Sequence, residues 1–252
     1  MKNVAVVLLA NKEYLKYFDE IYNNLRTIGK FEGDIVLLTD DRTKCKNIEK
    51  ISDDKLIIKR FEKIRFSRET KQHLNKIKYG RNKSKSFQWH KFYLFDEYFK
   101  KWNFVFYLDI NMKIKNSMIN LLNAGCENTL YAPFDAYPDL DWKLKSQFDE
   151  NNTFFKKLQN QYDLENPKYF QTGILFFDTK IIKEDTFSNV LNLSNQFPIS
   201  KNNEQGIMNL YFLYEYPVFQ RLPQTIKETL TYSYWEPDHN NVIIVKKLNK
   251  KN

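Results

Sequence analysis

The residues best suited to chemistry stand where apolar runs stop. In Phe106-Tyr107-Leu108-Asp109-Ile110-Asn111, two short oxygen-bearing side chains lie one residue apart at the end of such a run. Oxygens at that spacing can hold a hard divalent cation, which in turn neutralises a diphosphate. The same D-x-N spacing also ends strands as a plain Asx turn. Two more apolar runs end on polar groups, at Asn11 and at Asp40-Asp41. Tyr14 offers a ring either to a planar base or to the core. Arg81 and Lys91 lie in a basic stretch, where they either meet a phosphate or form a solvated face.

These positions need a scaffold that gathers strand ends. Residues 4–9, VAVVLL, form a continuous β-branched run of the kind that is buried on both faces of a parallel sheet. Leu15, Phe18, Ile21, Tyr22, Leu25 and Ile28 follow at helical spacing, with Gly29 as the expected C-terminal cap. Residues 35–39 repeat the strand pattern, so the chain opens as βαβ. A short strand at 56–58, an aromatic helix carrying Phe87, Phe92, Phe95 and Phe99, and a strand at 104–108 continue it. Strands at 129–132, 173–178 and 242–245 and helices at 181–197 and 204–214 are expected in the second half. The fold class is α/β, with a mixed, mainly parallel sheet flanked by helices. In such sheets ligands bind outside the carboxyl ends of the strands, where Asn11, Asp40 and Asp109 all fall. With no internal repeat or low-complexity linker, one compound domain over 1–252 is expected.

Composition excludes some classes. Hydrophobic residues make up 42% of the chain and aromatic residues 16%, too much apolar surface for a disordered protein. The two cysteines, Cys45 and Cys126, form no framework or C-x-x-C pair. The absence of a secretory pattern or a long apolar span leads to a cytoplasmic expectation. A net charge of +9 admits nucleic acid, phosphate-bearing small molecules and weak association with anionic surfaces. Residues 59–91 hold twelve Lys or Arg against Glu62 and Glu69 and read as a basic loop. With Phe61, Phe66, Tyr79 and Phe87 interleaved, they sustain a rival reading as a nucleic-acid-binding module. No nucleic-acid motif of fixed spacing supports that reading, so no specific nucleic-acid partner is expected.

Taken in order, the motifs resemble the retaining glycosyltransferases of the glycogenin and bacterial galactosyltransferase family, family 8, which have the GT-A fold. Residues 4–11 with Tyr14 resemble the family's first strand and nucleotide-binding turn, and Trp89-His90-Lys91-Phe92 the segment with its donor-site lysine. Tyr107-Leu108-Asp109-Ile110-Asn111 stands for its Y-L-D-x-D motif. Tyr169-Phe170-Gln171-Thr172-Gly173 is similar to its F-N-[SA]-G strand, Asn203-Glu204-Gln205-Gly206 to its D-Q helix start, and Leu222-Pro223 to its L-P. The chain departs from the family at Asn111, Gln171 and Glu204, and again where Lys246 follows the strand at 242–245. The family has a metal-binding histidine there, and His239 precedes that strand instead.

The resemblance implies transfer of a sugar from a UDP-sugar to a hydroxyl of a glycan, protein or small-molecule acceptor, with retention of configuration. It makes 1–115 the nucleotide-binding half and 116–252 the acceptor half. It implies catalytic roles for Gln205, beside the anomeric carbon, and for Glu204 and Lys91. It implies donor contacts from Asn11, Tyr14, Asp40, Arg81, Lys91, Asp109, Asp135, Gln171 and Lys246. A divalent cation, Mn²⁺ or Mg²⁺, would be held by Asp109, Asn111 and His239. The lost carboxylate at Asn111 keeps open a domain that binds sugar nucleotide without turnover.

Overall fold

A computed structural model describes residues 2–135, 140–234 and 241–246. Along the chain come β1 (Val4–Leu9), α1 (Phe18–Thr27), β2 (Asp34–Asp40), β3 (Leu56–Phe61), α2 (Arg68–Lys76), α3 (Asn82–Lys85), β4 (Phe104–Asp109), β5 (Met112–Ile114) and α4 (Ile119–Asn123). They are followed by β6 (Leu130–Ala132), α5 (Phe154–Gln159), β7 (Ile174–Asp178), α6 (Thr186–Gln196), α7 (Glu204–Leu210), β8 (Phe219–Arg221), β9 (Thr225–Ile226), β10 (Thr229–Ser233) and β11 (Val242–Lys246).

Seven strands form one sheet in the order β3-β2-β1-β4-β7-β6-β8. The first four are parallel, and the unbroken apolar runs of β1, β2 and β4 fit burial on both faces: alternate residues of β1 enter opposite cores, Val4, Val6 and Leu8 on one face and Ala5, Val7 and Leu9 on the other. β7 then enters antiparallel to β4, with Leu108 opposite Ile174. This reversal sets the start of β7 against the end of β4, and the Asp109 N–H donates to the Gly173 carbonyl at 2.8 Å. β6 runs antiparallel to β7, so its carboxyl end faces the same way as that of β4.

A second sheet, β5-β11-β10-β9, was not foreseen beyond its β11. Its other strands are two to five residues long and show no clean alternation, so their pairing rather than their local pattern defines them. Lys246 pairs opposite Met112, which brings it beside the Asp109-Asn111 turn.

Several local expectations change. The helix expected from Leu15 begins as a 3-10 turn, Leu15–Tyr17, before α1. Lys30, at φ 56°, takes the left-handed turn expected of Gly29. Gly29 is required there for a different reason, because a Cβ would fall 2.8 Å from the Leu25 carbonyl oxygen. The aromatic helix is instead two 3-10 segments, Ser86–Phe95 and Glu97–Lys101. Trp89, Phe92, Leu94 and Phe95 are all buried, so packing on several sides replaces the single apolar stripe an α-helix would need. The helix expected at 181–197 is the shorter α6, since Asp178 caps a separate turn at Lys180. The basic stretch is not a loop: it contains the end of β3, then α2 and α3.

Candidate active site

Strand ends and loops converge on a cavity of about 280 Å³. A smaller one of about 40 Å³ adjoins it, and the two share Arg81, Gln88, Asp109 and Lys246. Asp109 enters from the end of β4, Gln171 and Thr172 from the start of β7, Asp135 from beyond β6, Lys246 from β11, and Glu204 and Gln205 from the start of α7. Asn203, immediately before α7, holds φ 54° and ψ −123°, a strained backbone for a residue with a side chain. Its amide donates to the Lys85 carbonyl at 2.9 Å and to Gln88 Oε1 at 3.3 Å, which fixes where Glu204 and Gln205 enter.

At the floor lies a buried charged triad. Lys91 Nζ meets Glu204 Oε1 at 2.9 Å and Asp109 Oδ1 at 3.2 Å, and donates to the Thr172 carbonyl at 3.0 Å. Burial alone would lower the Lys91 ammonium, but Asp109 and Glu204 outweigh it and raise it above the usual lysine range. Burial alone would raise the Asp109 carboxyl, yet Lys91 and then Lys246 hold it below the usual carboxylate value. The Tyr107 hydroxyl also donates to Asp109 Oδ1, at 2.7 Å. Lys91 is therefore committed to protein carboxylates.

The other cations of the two cavities are less fully matched. Lys85 and Lys246 are both lowered chiefly by burial, with Arg81 adding repulsion. Four cationic side chains, Arg81, Lys85, Lys91 and Lys246, line the two cavities with three carboxylates, Asp109, Asp135 and Glu204. Burial raises Asp135 above the usual carboxylate range. Gln171 Nε2 and Glu204 Oε2, buried atoms of two residues that line the larger cavity, have no hydrogen-bond partner among the described residues. Such orphans are rare in native interiors and mark places where a ligand completes the bonding.

Of the positions singled out in the sequence, Arg81, Lys91, Asp109, Asp135, Gln171, Glu204, Gln205 and Lys246 line the larger cavity, and Tyr14 and Asn111 the smaller. The Tyr14 ring packs on Phe87 at 4.6 Å. Asn11 and Asp40 line neither. Asn11 Oδ1 accepts from the Tyr14 N–H, and Asp40 Oδ1 from the N–H groups of Arg42 and Thr43. His239 lies outside the described residues. Sequence reading missed Lys85, Gln88, Gln147, Asn202 and Tyr234 as lining residues. Lys85 and Gln88 fall inside the basic stretch already noted, whereas Gln147, Asn202 and Tyr234 carry no local signal.

These residues do not by themselves fit a tightly held divalent cation. Among the described residues no group of three or more His, Cys, Asp or Glu is placed to hold one. Asp109 Oδ1 is already engaged by Lys91 and Tyr107, and its neighbour Asn111 is neutral. Among the described residues no helix is long and apolar enough to cross a membrane.

The arrangement has known counterparts. The WbbM bifunctional glycosyltransferase, in its apo structure, superposes with a TM-score of 0.64 at 16% identity, over 99% of this chain and 46% of that one, so this chain spans about half its length. The galactosyltransferase LgtC, solved with donor and acceptor sugar analogues, gives 0.66 at 13% identity, over 98% of this chain and 87% of that one. Mouse xyloside xylosyltransferase 1 gives 0.54 at 10% identity, over 98% and 97%. These likenesses establish the GT-A fold. No curated protein sequence matches significantly. The family description "Glycosyl transferase family 8" matches residues 5–242, which runs from β1 to the first residue of β11, so the chain belongs to that family and is a glycosyltransferase.

Proposed function

We propose that the paired cavities take a UDP-sugar, the diphosphate toward Arg81, Lys85 and Lys246 and the sugar toward Asp135, Gln171, Glu204 and Gln205. The sugar passes to an acceptor hydroxyl with retention of configuration. The observation that carries this reading is a cavity lined by Arg81, Lys91 and Lys246, whose lining residues Gln171 and Glu204 each keep a buried polar atom without a partner. An unpartnered donor and an unpartnered acceptor on lining residues each suit a sugar hydroxyl, which can accept or donate. On this reading residues 1–115 supply most of the nucleotide side, and residues 116–252 supply Lys246, the donor-sugar contacts and the acceptor side of one unit. The bond from the anomeric carbon to the diphosphate breaks, and the acceptor oxygen bonds to that carbon. The acceptor proton passes to the departing phosphate. Charge growing on the leaving group is met by Lys246, Arg81 and Lys85. Lys91 acts at one remove, by holding Asp109 and Glu204 in place.

The nucleic-acid reading loses three of its basic residues, because Lys91 is buried and Arg81 and Lys85 line the cavities. UDP is expected to raise the melting temperature more than ADP or GDP does, by linkage to the folded state. Equal shifts with all three would remove the uracil preference, which rests on Tyr14 beside the smaller cavity.

The weak donor set yields an expectation about the metal. Mn²⁺ binds measurably only when UDP supplies further oxygens, and excess chelator lowers transfer without stopping it, because the side-chain cations neutralise part of the diphosphate. Calorimetry of Mn²⁺ with and without UDP, alongside turnover in chelator, checks both halves. Tight Mn²⁺ binding to the unliganded protein would show that the donor set is stronger than Asp109 and Asn111 make it.

A further inference from the structure

We infer that Gln147 is the positioning residue of the sugar subsite, fixing which end of the Gln205 amide faces the cavity. The inference rests on the donor reading above for its catalytic meaning, but its geometric core does not. Gln147 closes the 3-10 turn Leu144–Gln147 and is 2% exposed. Its amide is fully used. Nε2 donates to Asp135 Oδ2 at 3.1 Å and to the Tyr169 hydroxyl at 3.4 Å, while Oε1 accepts from Asn202 Nδ2 at 2.8 Å and Gln205 Nε2 at 3.0 Å. Two donors and two lone pairs are all such an amide has.

The oxygen and nitrogen ends of a glutamine amide have nearly the same shape, so only the polarity of the partners sets its orientation. Here both ends of the chain are of fixed polarity. At one end the Asp135 carboxylate accepts from Gln147. At the other the Thr172 backbone N–H can only donate, and it donates to Gln205 Oε1 at 3.3 Å. Turning over Gln147 would set its oxygen against Asp135, and turning over Gln205 would set N–H against N–H. Each inversion leaves buried polar groups opposed. One arrangement survives, in which Gln205 presents Oε1 with a lone pair beyond the one Thr172 uses. Beside an anomeric carbon that gains positive charge, an oxygen stabilises and an N–H opposes. Gln147 touches none of the reacting atoms in this scheme, and its effect passes through Gln205 and Asp135.

Two substitutions test it. Gln147→Leu removes one acceptor of the Gln205 amide, leaving the Asp135 carboxyl as its other partner, and kcat is expected to fall about 10- to 100-fold while UDP affinity stays within about threefold. Gln147→Glu keeps the acceptors for Asn202 and Gln205 but sets a carboxylate against Asp135. Its transfer should be depressed at neutral pH and recover as the pH falls and the pair takes up a proton. A merely structural glutamine would give lowered melting temperatures with unchanged kcat per folded molecule and the wild-type pH profile, and that result overturns the inference. Nitrogen-15 NMR of the Gln205 side-chain amide supplies a readout that needs no substrate. Two distinct, exchange-protected protons are expected in the wild type, and loss of protection in Gln147→Leu. Unchanged Gln205 protons in that variant overturn the positioning role. Failure of UDP to stabilise the wild type overturns the donor reading instead.

Discussion

Asp109→Ala is expected to lower sugar transfer by about 10²- to 10³-fold, the usual cost of removing a preorganised electrostatic group from an active site. Asp109 ends β4 at the meeting point of the two cavities, where it orders both Lys91 and Tyr107. The substitution also removes one of the two carboxylates that balance Lys91, so some stability is lost with it. Glu204 and Thr172 still hold the ammonium, and the fold persists. Asp109→Asn separates the two effects, because its amide oxygen still accepts from Tyr107 while the negative charge is gone. Turnover measured beside thermal unfolding decides the matter. Wild-type turnover in a folded Asp109→Ala protein would remove the residue from the site.

Lys91→Met is expected to cost about 3–5 kcal/mol of folding stability, the scale for breaking a buried ion pair from one side. In the wild type the raised Lys91 contributes stability that is complete below the ordinary lysine pKa and is lost as pH rises through its raised folded value. Asp109, held low, contributes stability that is present above the ordinary carboxylate value and is lost as pH falls through its depressed one. Between those limits the triad's contribution is level. Without Lys91, burial dominates at Asp109, the carboxyl moves upward, and the folded state prefers to take up a proton. The variant's deficit relative to wild type should therefore shrink on going from pH 8 to pH 5. Urea unfolding at the two pH values reads this directly. An equal deficit at both would mean that lost packing, rather than lost charge, is the cause.

The legible parts of the sequence were those in which one residue type serves one physical demand. The runs at β1, β2 and β4 are apolar without interruption because both faces of each strand are covered, and Asp109 stood out by ending such a run. Lys246 was reached only through family resemblance. Its pairing with Met112 depends on a sheet whose other strands are too short to announce themselves. Lys91 stands out as a donor ligand through the resemblance of Trp89-His90-Lys91-Phe92 to the family's lysine segment, but the carboxylates that claim it lie 18 and 113 positions away in the chain. Gln147 gave no sign, since a glutamine in a short polar turn looks like any solvated residue until Asp135, Asn202 and Gln205 close around it. Asn203 enters the sequence only as the first residue of a family-like motif, and nothing in that motif announces its positive φ or its bonds to Lys85 and Gln88.

The return of β11 to β5 bears on how the protein is made. While the chain is being synthesised, β1 to β4 can already form a parallel sheet, and β7 can dock once residue 178 is free. Lys246 reaches the Asn111 turn only when β11 has found β5, about 130 positions earlier, by closing a long loop whose entropy opposes the pairing. A nascent or truncated chain that stops before residue 242 thus carries Asp109 and the triad but lacks one wall of the cleft. On the proposed donor reading, full retention of a diphosphate would therefore come late in maturation, after the first sheet is complete.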